Sequence, residues 1–155
     1  MTPGTISRRD KGRVAKAPRL AGTPQRVAAA VEALAGVVAQ AHWEIGSEDV
    51  VNGADFYVGE EELGHIHLDG EAHIPVGKQG VAALVKAGLA KRFRWSPHFA
   101  AVDAHDVDTA VWIFGLRHQQ IAGLSDEDVV ALIRARKAGA PSDTDGSLAS
   151  GCQVS

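Results

Sequence analysis

The chain has 155 residues, with 16 Lys plus Arg against 19 Asp plus Glu and 45 % apolar residues, the profile of one soluble globular domain. No apolar run approaches the roughly 20 residues that a membrane helix needs, so an integral membrane protein and a membrane partner are not expected. Cys152 is the only cysteine, which excludes an intrachain disulfide and a cysteine-based zinc or iron–sulfur site and points to a reducing, cytoplasmic location.

Charge divides the chain. Residues 1–22 hold Arg8, Arg9, Lys11, Arg13, Lys16 and Arg19 against Asp10 alone, a net of +5, and the middle of the chain is acidic. The head is rich in small and polar residues without apolar periodicity, so a disordered basic arm is expected over 1–22. It has no aromatic residue to stack on bases and precedes an acidic domain, so nucleic acid is not an expected partner. Ser7-Arg8-Arg9 resembles a twin-arginine export signal, but Arg13, Lys16, Pro18 and Arg19 stand where its apolar region should be, so export is not expected.

Thr23 before Pro24 reads as an N-cap and first helical position, and Val27, Ala30, Val31, Leu34, Val37 and Val38 recur at helical spacing, predicting a helix over 23–41. From 43 to 76, apolar and aromatic residues alternate with glycine-containing turns, predicting three or four strands. Val81, Leu84 and Val85 predict a short helix over 78–87, with Gly88 at its C-terminal stop. Two short strands, 91–95 and 99–102, are expected around the Ser96-Pro97 turn. Asp103 with Asp106 caps a helix running to 121, whose wide apolar stripe leaves room for a homodimer; Ser125 with Asp128 caps a last helix to about 137, with Val129, Leu132 and Ile133 inward. The tail, 139–155, is expected to be disordered. This order predicts one α+β domain over 23–138, a mainly antiparallel sheet with helices packed on one face.

Polar chemistry is densest in the run from Gly64 to Pro75. In a strand, His65 and His67 share a face. A two-residue Asp69-Gly70 turn would put His73 on the opposite face. A three-residue loop from Asp69 to Glu71 would pair His67 with His73, and it is preferred because Ile66, Leu68, Ala72 and Ile74 then share the buried face. Three neutral imidazoles, His65, His67 and His73, with Glu71 or Glu62 near, have the chemistry to hold zinc, iron or another divalent metal with an open coordination position. The alternative is a half-solvated sheet face whose histidines bond acidic neighbours. His98 and Trp95 are candidates to complete a small-molecule pocket with these histidines. No Gly-X-Ser-X-Gly turn and no phosphate-cradling glycine run is present, so a serine nucleophile and a nucleotide site have no support.

The run Gly59, His65, His67, Glu71 resembles the first cupin motif, whose two histidines and glutamate bind metal. The second cupin motif is absent, and predicted helices stand where a cupin has strands. A wider resemblance, over about 50–121, is to the luciferase-domain family of small α+β proteins without established function. It rests on Phe56-Tyr57-Val58-Gly59-Glu60-Glu61-Glu62-Leu63-Gly64-His65-Ile66-His67, on Gly70 and Ile74-Pro75, and on 84–90 and 106–112. Arg92-Phe93 and Ser96-Pro97-His98-Phe99 depart from that family's pattern. The resemblance implies the α+β plan and a role for His65 and His67, but no substrate. Two functions are expected to compete: a small-molecule or metal-binding module on the histidine face, and a metal-dependent, cupin-like enzyme using the same ligands.

Overall fold

The computed structural model describes residues 3–47 and 49–139. Its elements are α1 (Thr23–Glu32), β1 (Val37–Trp43), β2 (Val51–Val58), β3 (Glu61–His67), β4 (Glu71–Ile74), α2 (Gly77–Lys86), β5 (Lys91–Arg92), β6 (Ala100–Asp103), α3 (Val107–Ile121) and α4 (Asp126–Gly139). The strands form one antiparallel sheet in the order β1-β2-β3-β4-β6-β5. Both α1 and α3 pack on the sheet and on each other, while α2 packs on α4 and on β5. This is the predicted α+β architecture.

The core lies between sheet and helices. Phe56, Leu63, Ile66 and Ile74 from the strands meet Val27, Val31, Leu84, Ile113, Phe114, Val129 and Ile133 from the helices, all fully buried. Phe56 and Phe114 meet edge to face at 5.9 Å between ring centroids; burying a side chain of that size contributes about 1.5–3 kcal/mol. The Ser125 cap forms as expected, its hydroxyl accepting from the Asp128 amide (3.1 Å), whereas α3 is capped by Asp106, which accepts from the Thr109 amide (3.3 Å), with Asp103 left at the end of β6. Leu132 is 41 % exposed rather than inward.

Three expectations are corrected. The first helix stops at Glu32 instead of 41, with Gly22 and not Thr23 at its N-cap. The helix is capped at Ala33, Gly36 adopts φ +76° in the turn closed by the Val37 amide on the Leu34 carbonyl, and the β-branched pair Val37-Val38 opens an edge strand. Residues 3–22 are not a free arm. Arg8–Asp10 forms a 3-10 turn on the polar side of the sheet, the Ala15 carbonyl accepts from the Ala41 amide at the open edge of β1, and Leu20 is buried in the core. The segment wraps from one face of the sheet around its edge to the other, held by pairing of its cations with acids that face away from the helices. Finally, helices at 77–86, 107–121 and 126–139 leave no cupin barrel among the described residues. The tail beyond Gly139 lies outside the described residues.

Candidate metal centre

The face of the sheet turned away from the helices carries the polar residues, and strand register sets their neighbours. Gln40, Asp55, His65, His73 and Ala101 form one row across β1, β2, β3, β4 and β6. His42, Gly53 and His67 form the next. His65, His67 and His73 therefore share one face, as expected, but through a different pairing. His65, not His67, opposes His73, because the loop is Leu68 to Gly70 and leaves Leu68 51 % exposed. Gly53 lets the flanking rings approach to 5.0 Å between centroids, and a Cβ there would collide with the Ile66 carbonyl oxygen.

Glu62 joins this face through a bulge. Phe56 pairs with Gly64 and Tyr57 with Glu62, so Leu63 is the extra residue and drops into the core. Buried Arg117 of α3 fixes the bulge, donating from Nε (3.1 Å) and Nη2 (2.8 Å) to the Glu62 carbonyl and reaching the Glu61 carboxylate at 3.4 Å.

Two carboxylate–imidazole pairs result. His42 Nδ1 lies 2.7 Å from Asp55 Oδ1, and His65 Nδ1 lies 2.8 Å from Glu62 Oε2. Their rings stack at 4.2 Å and 8°. An ionised carboxylate only accepts, so each assigns the proton to Nδ1 and leaves Nε2 as a lone pair. The other oxygens of these acids, Asp55 Oδ2 and Glu62 Oε1, each lie 3.7 Å from Lys11 Nζ, and the Tyr57 hydroxyl donates to Asp55 Oδ2 at 3.2 Å. Burial works to raise the Asp55 and Glu62 carboxyls, but the histidine hydrogen bonds and Lys11 outweigh it and hold both below the ordinary carboxylate range. Burial, with the charges of Asp55 and Glu62, pushes the Tyr57 phenol far above its usual value.

Burial also favours the neutral form of His65, His67 and His73. It lowers His65 despite the Glu62 hydrogen bond, lowers His73 with help from His67, and brings His67 to about 4 with help from His65 and His42. Ring nitrogens of His42, His65 and His67 lie within 4.8 Å of one another. His65 Nε2 is also 3.1 Å from His73 Nδ1, and His73 Nε2 is 3.4 Å from Glu71 Oε2, where it makes no hydrogen bond.

Above this floor lies a cleft of about 530 Å³, with the four histidines at its base and Phe93 and Trp95 on one wall. Phe93 packs on His73 at 4.1 Å, Trp95 is 69 % exposed at the lip, and Glu71 lies at the rim. His98 is not brought to the cleft; its ring packs beside Gly4. His118 bonds the Ala35 carbonyl, and His105 bonds Asp103.

The sequence reading missed His42, Asp55, Tyr57 and Lys11. Had Gly36 been taken as a helix stop, the alternation Gln40, His42 and then Gly53, Asp55, Tyr57 would have marked them as one polar face. A family model for the luciferase domain matches residues 60–116, which include His65, His67, His73 and the Phe93–Trp95 wall but not His42, Asp55 or Lys11. No curated protein and no solved structure matches the chain.

Proposed function

We propose that this luciferase-domain-like protein binds a divalent metal ion, zinc or iron, through ring nitrogens of His42, His65 and His67, with His73 as a further donor, and presents it to a small molecule in the cleft. One observation carries the reading: the chain Glu62, His65, His73, Glu71. The acids at its two ends both call for a proton on the imidazole nitrogen that faces them. With His65 protonated on Nδ1 and His73 on Nε2, two lone pairs face each other across 3.1 Å. The other tautomer of His73 bridges that gap but turns a buried lone pair toward the Glu71 carboxylate. A proton shared in the middle would make an imidazolium, which burial disfavours on both rings. A divalent cation accepting both lone pairs removes the conflict.

Asp55 and Glu62 then act as the outer carboxylates that orient ligand histidines and raise their basicity. Glu71, expected as a ligand, faces His73 Nε2 as a charge 3.4 Å away and not as a hydrogen-bonded carboxylate. A bound ion would supply Lewis acidity at the base of the cleft. The metal-dependent enzyme is the same site with a substrate reaching that ion, which the open cleft permits. No helix among the described residues is long and apolar enough to cross a membrane, and a cytoplasmic location agrees with the single cysteine.

Metal content by mass spectrometry tests the reading, on untagged protein purified without chelator or nickel resin. About one ion per chain, lost in His42→Ala and in His67→Ala, is expected. Metal-free protein from metal-supplemented cells would overturn it.

A further inference from the structure

The two walls of the cleft differ in charge. One carries Arg92 and Arg94, both exposed, and the other carries Glu44 and the 94 % exposed Ile45. Most cations on the polar side are engaged: Arg8 with Gln40, Arg9 with Glu60, Lys11 with Asp55 and Glu62. Arg92 and Arg94 have no ion pair and no hydrogen bond from their side chains among the described residues; Arg94 only lies over the Trp95 ring, 4.3 Å from its centroid. An exposed tryptophan with a guanidinium on its face is a recognition surface for flat apolar matter beside negative charge. Phe93 continues that surface down to His73, whose buried Nε2 lacks a hydrogen bond and borders the cleft.

We propose that the cleft takes a small organic carboxylate with a flat apolar body. The body lies between Ile45 and the Phe93–Trp95 wall, and the carboxylate meets Arg92 and Arg94. Glu44 repels the charged end from the opposite wall and so fixes which way round the ligand enters. Guanidinium forks suit a carboxylate because they donate two parallel hydrogen bonds to its two oxygens. The cleft volume suits a ligand of one or two rings. This names a ligand class for the site proposed above and rests on that reading only in taking the histidine floor as the place of the ion; recognition of the carboxylate does not need the ion.

The test is calorimetric titration of chelator-treated full-length protein with 2-naphthoate and with 2-naphthamide, its neutral counterpart of nearly the same shape. Wild type should bind the naphthoate about tenfold or more tightly than the amide. Arg92→Gln with Arg94→Gln should bring the two probes level while leaving the thermal midpoint unchanged, and Trp95→Ala should weaken both. Equal affinity for the two probes in wild type, binding of neither, or a preference that survives the double substitution would overturn the proposal. Because the protein is metal-free throughout, these outcomes are separate from the ion count that decides the metal reading.

Discussion

Replacing Arg117 with methionine joins fold to site in one experiment. Methionine fills much of the same volume without a donor, so Arg117→Met deprives the Glu62 carbonyl of hydrogen bonds at 3.1 and 2.8 Å and breaks the 3.4 Å contact with Glu61. A hydrogen bond from a charged donor is worth about 1.5–3 kcal/mol. The two share one acceptor and do not add fully, and the carbonyl left unmet adds about 1–3 kcal/mol. Relief from burying the guanidinium offsets part of this. A net loss of about 2–4 kcal/mol follows, a large share of the roughly 5–15 kcal/mol that keeps a domain folded. Urea unfolding of chelator-treated protein should show the midpoint falling with the slope unchanged. The same loosening frees the bulge that aims Glu62 at His65, so zinc affinity should fall about tenfold, the effect of losing an outer-sphere partner. Arg117→Lys, which keeps one donor, should fall between. A stability loss under about 1 kcal/mol, or an unchanged zinc affinity, would refute the idea that α3 sets the site through this bulge.

Gly53→Ala should cost about 2–4 kcal/mol in denaturant unfolding, since its Cβ would press on the Ile66 carbonyl and lie 2.9 Å from His67 Cα, and should also lower zinc affinity by parting His42 from His67. His42→Ala should abolish tight zinc binding and, in chelator-treated protein, also lower the urea midpoint, because it leaves the buried Asp55 carboxylate without the partner 2.7 Å away, a loss of about 1–3 kcal/mol. For metal-free protein the pH dependence has a definite sign. His67 takes up its proton near pH 4 when folded and near 6.5 when unfolded, so the stability it contributes is fully present above 6.5 and is lost as pH falls from 6.5 toward 4. Thermal midpoints across that window should fall with acidity, and less in His67→Gln.

Local signals made the later helices legible. Asp106, Ser125 and Gly88 each mark a terminus by chemistry that acts within one turn, and the structure puts α2, α3 and α4 there. Long-range effects hid the rest. Val37 and Val38 continue the spacing of α1 by chance, so only Gly36 separates a helix from the strand that carries His42. The face shared by His65, His67 and His73 follows from period-two geometry, whereas the pairing partner of His73 depends on a loop in which Leu68 is given up to solvent. Glu62 reads as the wrong parity for His65 until the bulge is known. The order of residues 7–20 was hidden because their cations look solvated until the acids they meet are folded into place.

The segment before α1 is fastened at both ends, by Lys11 against Asp55 and Glu62 on one face and by Leu20 in the core on the other. Between them, Arg13 accepts from Trp43 Nε1 at 2.8 Å through its carbonyl and Ala15 meets β1. It thus closes an edge that would otherwise pair with another chain. Anything that stiffens Asp55 and Glu62 must also quiet this stretch, although it lies outside the cleft. Arg13 and Lys16 are tryptic positions within it, so the rate of cleavage there becomes a clock for the state of the histidine cluster: fast when the carboxylates are free to move, slow when an ion holds their imidazole partners still.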